Sequence, residues 1–226
     1  MKVVCFDLAD TLYKEIDYLK SAYKEIANYA VKHCSECVDS PTILVKAYNV
    51  MFTAYMKGEN AFKCLNEFLC INLPISEYLQ IYHEHKPDIK LSEDAISTLD
   101  TLKSLGCVIG LITDGRSLQQ RNKIEALGLY RWICNENIVI SEEFGSEKPN
   151  SANYEYFMKL YPNCHDFWYV GDNLQKDFVA ANALKWTTVC LMDDGRNIHR
   201  QDISIVREKK SKKTVIKLAD IIKSTC

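Results

Sequence analysis

VVCFDLADTL, residues 3–12, is the stretch whose reading decides the fold. A short apolar strand signal, Val3 to Phe6, runs directly into Asp7, with Asp10 three residues later and Thr11 behind it. Strands of a parallel sheet buried on both faces read as continuous apolar runs, and open α/β sheets carry their chemistry just beyond the carboxyl ends of such strands. Asp7 stands at that end. Two later stretches have the same form: CVIGLIT (107–113) closes on Thr113, and DFWYVGDNLQKD (166–177) carries Asp172 and Asp177 just after its apolar run. Between them a basic residue, Lys148, sits in the turn-like SEKPN.

Working outward, residues 14–88 change character. Tyr18, Ala22, Ile26, Tyr29 and Ala30 recur at three- and four-residue steps, as do Val45, Tyr48, Phe52, Tyr55 and Met56, which predicts a helical bundle of its own. Further helices are expected over 60–71 and, after Pro74, over 76–84; Lys86-Pro87 then breaks the pattern and marks the return to the first domain. From there strands and helices alternate. Ser92 is a candidate N-cap for a helix to residue 105 that stops at Gly106 and leads into CVIGLIT. A polar helix over 117–127 follows, then a strand at 138–140, a helix at 153–160, strands at 167–170 and 187–192 separated by a helix from Phe178 to Leu184, and an extended piece with a helix in 214–224. The expected fold class is α/β: a three-layer Rossmann-like parallel sheet formed by residues 1–13 and 89–226, with an inserted all-helical subdomain over 14–88.

Composition fits this reading. A chain of 226 residues, 47% of them hydrophobic, can bury a sizeable core, and the formal net charge of −2 gives no reason to expect nucleic acid or an anionic membrane surface as a partner. The one basic run, KKSKK at 209–213, reads as a solvated loop. There is no apolar run of the about 20 residues needed to span a bilayer and no signal-type segment before Cys5, so a cytoplasmic protein is expected. Cys5, Cys107 and Cys190 lie on expected buried strands, where cysteine behaves as a small hydrophobe, and the ten cysteines are read as free thiols. HCSEC (33–37) has C-x-x-C spacing, but Cys64 and Cys70 lack it, which weakens a zinc reading. His33, His83 and His85 are expected on the surface of the helical insertion.

Asp7, Thr113, Lys148, Asp172 and Asp177, in this order and at these separations, resemble the four motifs of the haloacid dehalogenase-like (HAD) superfamily, over nearly the whole chain. The resemblance implies a phosphatase-type hydrolase with a helical cap over 14–88, acting on a small phosphorylated metabolite as a monomer or homodimer. It implies Asp7 as nucleophile, Thr113 and Lys148 as donors to the phosphoryl oxygens, and Mg²⁺ held by Asp7, Asp172 and the backbone carbonyl of residue 9, with Asp177 a ligand or a partner of one. Asp114, Gly115 and Arg116, which follow Thr113, are candidate substrate contacts. One position departs from the pattern. The family's phosphatases begin Asp-x-Asp, whereas this chain reads FDLADTL, so Ala9 stands where the acid/base carboxylate belongs.

Ala9 keeps the backbone carbonyl that would bind the metal and loses the proton-transfer group, a loss that typically costs about 10²–10⁴ in rate. Asp10, one residue on, is not expected to replace it. Two other readings follow from the same substitution: a binding or regulatory protein that keeps the pocket without efficient turnover, and another chemistry of the superfamily. Phosphonatases carry Ala at this position and use a cap lysine as a Schiff base, but the sequence around Lys20, Lys24 and Lys46 does not resemble theirs. Individually, Asp7 could merely cap a helix and GDN at 171–173 could be an ordinary turn; the ordered set is what argues for a site.

Overall fold

The computed structural model describes residues 1–34, 41–201 and 209–222. They fall into two compact units, Met1–Ile16 with Ile89–Cys226, and Asp17–Asp88. In the first, β1 (Val3–Phe6), β2 (Val108–Thr113), β3 (Ile138–Ile140), β4 (Phe167–Gly171), β5 (Thr187–Leu191) and β6 (Lys213–Val215) form one sheet in the order β3-β2-β1-β4-β5-β6. Every pairing is parallel. The α/β class expected from the strand–helix alternation is thus borne out.

The strand order reverses at β1, which is flanked by β2 and β4. This is the switch point at which open α/β sheets bind ligands. The register aligns the carboxyl ends: Phe6 pairs with Leu111 on one side and Val170 on the other, so Asp7, Thr113 and Asp172 all emerge from one edge. Beneath them Val3, Cys5, Ile112, Tyr154, Phe157, Tyr169, Phe178 and Trp186 form a continuous core.

Helices α5 (Glu93–Ser104), α6 (Ser117–Ala126), α7 (Ser141–Phe144), α8 (Ala152–Leu160) and α9 (Val179–Ala183) connect the strands. Ser92 caps α5 as its position suggests, its hydroxyl accepting from Ala95 N at 3.1 Å. Gly106 ends that turn at φ 72°, a conformation favouring glycine. The short α7 was not legible: its four residues are too few to show a period.

The second unit contains most of α1 (Glu15–Lys32), then α2 (Pro41–Met56), α3 (Ala61–Leu69) and α4 (Ile75–Glu84). On α1 the apolar steps read from the sequence are the packing face, with Tyr18, Ala22, Ile26 and Ala30 buried, whereas on α2 Val45 and Met56 are exposed and the buried face is Ala47, Met51 and Ala54. Asn60 caps α3 through Phe62 N and Lys63 N at 3.1 and 3.0 Å. Lys24 and Lys46 are exposed, and Lys20 lies over the Phe52 ring at 5.5 Å, a packing role for its cation.

Four further expectations need correction. His85 is buried rather than on the surface, because Ser21 Oγ lies 2.7 Å from its Nε2, Glu25 pairs with its Nδ1, and Tyr18 packs edge-on against its ring. Cys5, Cys64, Cys70, Cys107, Cys134, Cys164 and Cys190 are free thiols, but Cys34 is disulfide-bonded; Cys37 lies outside the described residues. The basic run at 209–213 is not simply a solvated loop: Lys213 opens β6, and Lys212 Nζ donates to Trp186 O at 2.6 Å. At the C-terminus the expected helix is a 3₁₀ turn over Leu218–Ile221, and residues 223–224 lie outside the described set. No described helix is long and apolar enough to cross a membrane.

Gly110 in β2 exposes the tightness of the core. A β-carbon there would sit 2.5 Å from Phe157 and 2.8 Å from Cys5 Sγ. Gly110→Ala is therefore expected to destabilise the protein by about 1–3 kcal/mol, with Phe157→Leu in the same chain restoring part of the loss in thermal denaturation. An unchanged melting temperature for Gly110→Ala would contradict this packing.

Candidate active site

Asp7 leaves β1 with its backbone N donating to Val170 O at 2.8 Å, so the sheet ladder itself fixes where the side chain starts. Its Oδ1 accepts from Lys148 Nζ at 2.6 Å. The same ammonium donates to Asp177 Oδ1 at 2.8 Å and reaches Tyr169 OH at 3.1 Å. Lys148 is held in the turn before α8 by its own N–H, which donates to Asp114 Oδ1 at 3.0 Å. Burial alone would lower the ammonium's pKa, but Asp177 and Asp7 outweigh it and hold it well above the ordinary lysine value.

Asp177 is wholly buried and densely bonded. Besides Lys148, Tyr169 OH donates to its Oδ1 at 3.3 Å, and the backbone N–H groups of Asp172 and Asn173 donate to its Oδ2 at 3.1 and 2.8 Å. Gly171 makes room for it, since a β-carbon there would lie 2.3 Å from that Oδ2. Asp172 is bonded more lightly, by Thr11 Oγ1 at 3.3 Å on Oδ1 and Asn197 Nδ2 at 3.0 Å on Oδ2.

Asp7, Asp172 and Asp177 bring one oxygen each within 4.8 Å of one another, and all three are buried. When ionised they carry three negative charges against the one positive charge of Lys148. The imbalance appears in their protonation. Burial, opposed by Lys148, pushes Asp7 up to about 7. Burial followed by repulsion from Asp7 and Asp177 pushes Asp172 up to about 8. A divalent cation would cancel the excess of two charges, and an all-oxygen donor set suits a hard one. The residues present fit a metal ion.

Thr113 ends β2, buried, one strand from Asp7. Ala9 is half-buried in the turn after β1, bridged to Tyr13, and brings no polar side chain. Asp10 does not stand in for the missing carboxylate. It takes a left-handed conformation at φ 56°, and its two oxygens accept from Glu15 N and Ile198 N, both at 3.0 Å, so it ties down the turn. The three residues after Thr113 diverge. Asp114 supports Lys148; Gly115, at φ 143°, donates its N–H to Ser141 Oγ at 2.9 Å; Arg116 is exposed.

Sequence reasoning missed Tyr169, Asn197 and the Glu15–Lys123 pair. Tyr169 lies within an apolar strand run, where its hydroxyl gives no signal. Lys123 is buried in α6 and donates to both Glu15 oxygens at 2.8 and 2.9 Å, with Tyr13 OH also bonded to that carboxylate. Nothing in the spacing of residues 108 positions apart could have paired them.

A profile of the family described as haloacid dehalogenase-like hydrolase matches residues 4–191. The glyceraldehyde 3-phosphate phosphatase of Methanocaldococcus jannaschii is 29% identical over 203 residues, 85% of each chain. Among solved structures, a HAD phosphatase from Thermococcus onnurineus aligns at TM-score 0.61 and 18% identity, over 100% of this chain and 98% of its own. A 2-haloacid dehalogenase from Pseudomonas syringae pv. Tomato DC3000 aligns at TM-score 0.60 and 15% identity, again over 100% and 98%. These two likenesses establish the fold alone, and they span two chemistries. By the match over residues 4–191 the chain belongs to the haloacid dehalogenase-like hydrolases.

Proposed function

We propose that this hydrolase is a Mg²⁺-dependent phosphomonoesterase acting on a small phosphorylated metabolite. The observation that carries the reading is the pairing of Asp7 with Lys148 at 2.6 Å inside a buried group of three carboxylates at the switch point of the sheet. A buried carboxylate beside a fixed cation suits attack on phosphorus, because the ammonium can share its protons with the incoming phosphoryl oxygens. The relatives named as glyceraldehyde 3-phosphate phosphatases support a triose-phosphate-sized substrate. Residues 14–88 are proposed as the cap that the resemblance implies.

In this reading Asp7 attacks the phosphorus, the alcohol leaves, and the phosphoryl group rests on the Asp7 carboxylate until water releases it. Lys148 and Thr113 donate to the phosphoryl oxygens. Asp177 and Tyr169 hold Lys148, and Asp177, with four donors on its two oxygens, orients the site more than it binds the metal. Asp7, Asp172 and the Ala9 carbonyl would hold Mg²⁺. That ion supplies charge neutralisation for the phosphate and for the crowded carboxylates.

Ala9 shapes the rate. With no carboxylate at that position, the leaving oxygen departs unassisted and the attacking water loses its base. Substrates with good leaving groups, such as acyl and aryl phosphates, are the least affected, and release of phosphate from Asp7 is the slow half. The same absence is what favours the second reading, a binding protein that holds phosphorylated ligands with little turnover.

Phosphate release with and without Mg²⁺, over triose phosphates, sugar phosphates, acetyl phosphate and an aryl phosphate, tests the proposal. Activity is expected only with the metal and is expected to vanish in Asp7→Asn; activity surviving in Asp7→Asn would exclude this nucleophile. The carboxyl pKa values give a second expectation. Asp7 and Asp172 bind protons more tightly folded than unfolded, so their contribution to stability is full below the ordinary carboxyl range and is lost as pH rises through about 7 and 8. The metal-free protein should therefore lose melting temperature across that window. Because Mg²⁺ displaces those protons, it should raise the melting temperature more at about pH 8.5 than at about pH 6. An equal increment at both would argue against these carboxylates as the metal site.

A further inference from the structure

The loop after β5, residues 193–201, is built more firmly than a surface connection requires. Asp193 Oδ1 accepts from Gly195 N and Asn197 N at 2.8 and 3.0 Å, and Asp10 Oδ2 accepts from Ile198 N at 3.0 Å. Gln201 closes it, its Nε2 donating to Asp172 O and Leu191 O, both at 2.8 Å, while its Oε1 accepts from Asp193 N at 2.9 Å. All of this fixes one side chain, Asn197, against the metal-site carboxylate.

We propose that Asn197 is the positioning residue of Asp172, with Lys14 setting the orientation of its amide. Asn197 Nδ2 donates to Asp172 Oδ2 at 3.0 Å, and Lys14 Nζ donates to Asn197 Oδ1 at 2.7 Å. An ammonium has donors only, so it must face the amide oxygen, and the amide must then turn its NH₂ toward Asp172. Lys14 is itself held by Asp194 at 2.9 Å. The chain Asp194–Lys14–Asn197–Asp172 thus delivers a donor to the carboxylate, while Thr11 holds its other oxygen at 3.3 Å.

The chemistry explains why an amide stands there. A lysine paired directly with Asp172 would cancel the charge that attracts the cation. A neutral donor fixes the carboxylate's rotation and leaves its charge intact, and Lys14 acts one residue removed. Partners that orient a ligating carboxylate in this way typically govern metal affinity by about 10–100-fold.

The inference rests on the proposed metal site, and Mg²⁺ titration by calorimetry separates the two. Asn197→Ala is expected to weaken Mg²⁺ binding at least about tenfold in the calorimetric dissociation constant. Lys14→Met should weaken it less and in the same direction. The double variant should be no worse than Asn197→Ala alone, because Lys14 acts through the amide. Lys14→Met also serves if Asn197→Ala fails to fold, which its metal-free melting temperature would show. Unchanged affinity in folded Asn197→Ala would overturn the role of Asn197, and additive losses would overturn the action of Lys14 through its amide, while either leaves the metal site standing. Absence of Mg²⁺ binding in the wild type would overturn both.

Discussion

Three buried carboxylates crowd one ammonium at the carboxyl edge of the sheet, and the surrounding structure is arranged to tolerate them. Like charges this close cannot all ionise without compensation, so each has bonds that constrain it. Asp177 takes four donors, and Gly171 lacks a β-carbon so that it fits. Lys148 is tied through its backbone to Asp114 and through its side chain to Tyr169. Removing one partner from such a buried cluster typically costs about 3–5 kcal/mol, because the charge left behind has no water to turn to. The cluster is a liability to stability, and its three carboxylates suit a site that takes up a cation.

Much of this was legible in the sequence, for reasons that differ by residue. Val3–Phe6, Ile138–Ile140 and the other apolar runs announce a sheet buried on both faces, and Asp7, Thr113 and Asp172 are visible because each terminates such a run. Lys148 stood out as a basic residue in a turn, though its bond to Asp7 spans 141 positions and only the fold closes it. What stayed hidden was set by contacts across the chain. Asn197 is an unremarkable polar residue in a loop, Tyr169 is one aromatic among apolar neighbours, and the burial of His85 follows from a face of α1 that carries Tyr18, Ser21 and Glu25. The binding partners of a polar side chain leave no periodicity to read.

The fold leaves the reaction open, because a phosphatase and a dehalogenase align with it about equally well. The site's excess of negative charge suits a divalent cation, and a phosphorylated substrate belongs there only with that positive charge supplied. Ala9 then acts as a selective deletion. On the proposed function it would spare the backbone, Asp7 as nucleophile and the charge cluster, and would remove a single proton-transfer group. Asp10 is committed to Glu15 N and Ile198 N, which leaves the gap in the chemistry unfilled by its nearest neighbour.

The most direct test of this account is acid-quench mass spectrometry of the wild type and Ala9→Asp during turnover of acetyl phosphate with Mg²⁺. If the site is a phosphatase centre slowed at its second half, the wild type accumulates a phosphoryl group on Asp7. Ala9→Asp should then show lower occupancy and turnover raised by at least about tenfold, the lower part of the usual acid/base contribution. A phosphoryl group on another residue, or Asp7 unmodified in both proteins with turnover unchanged by the substitution, would contradict it.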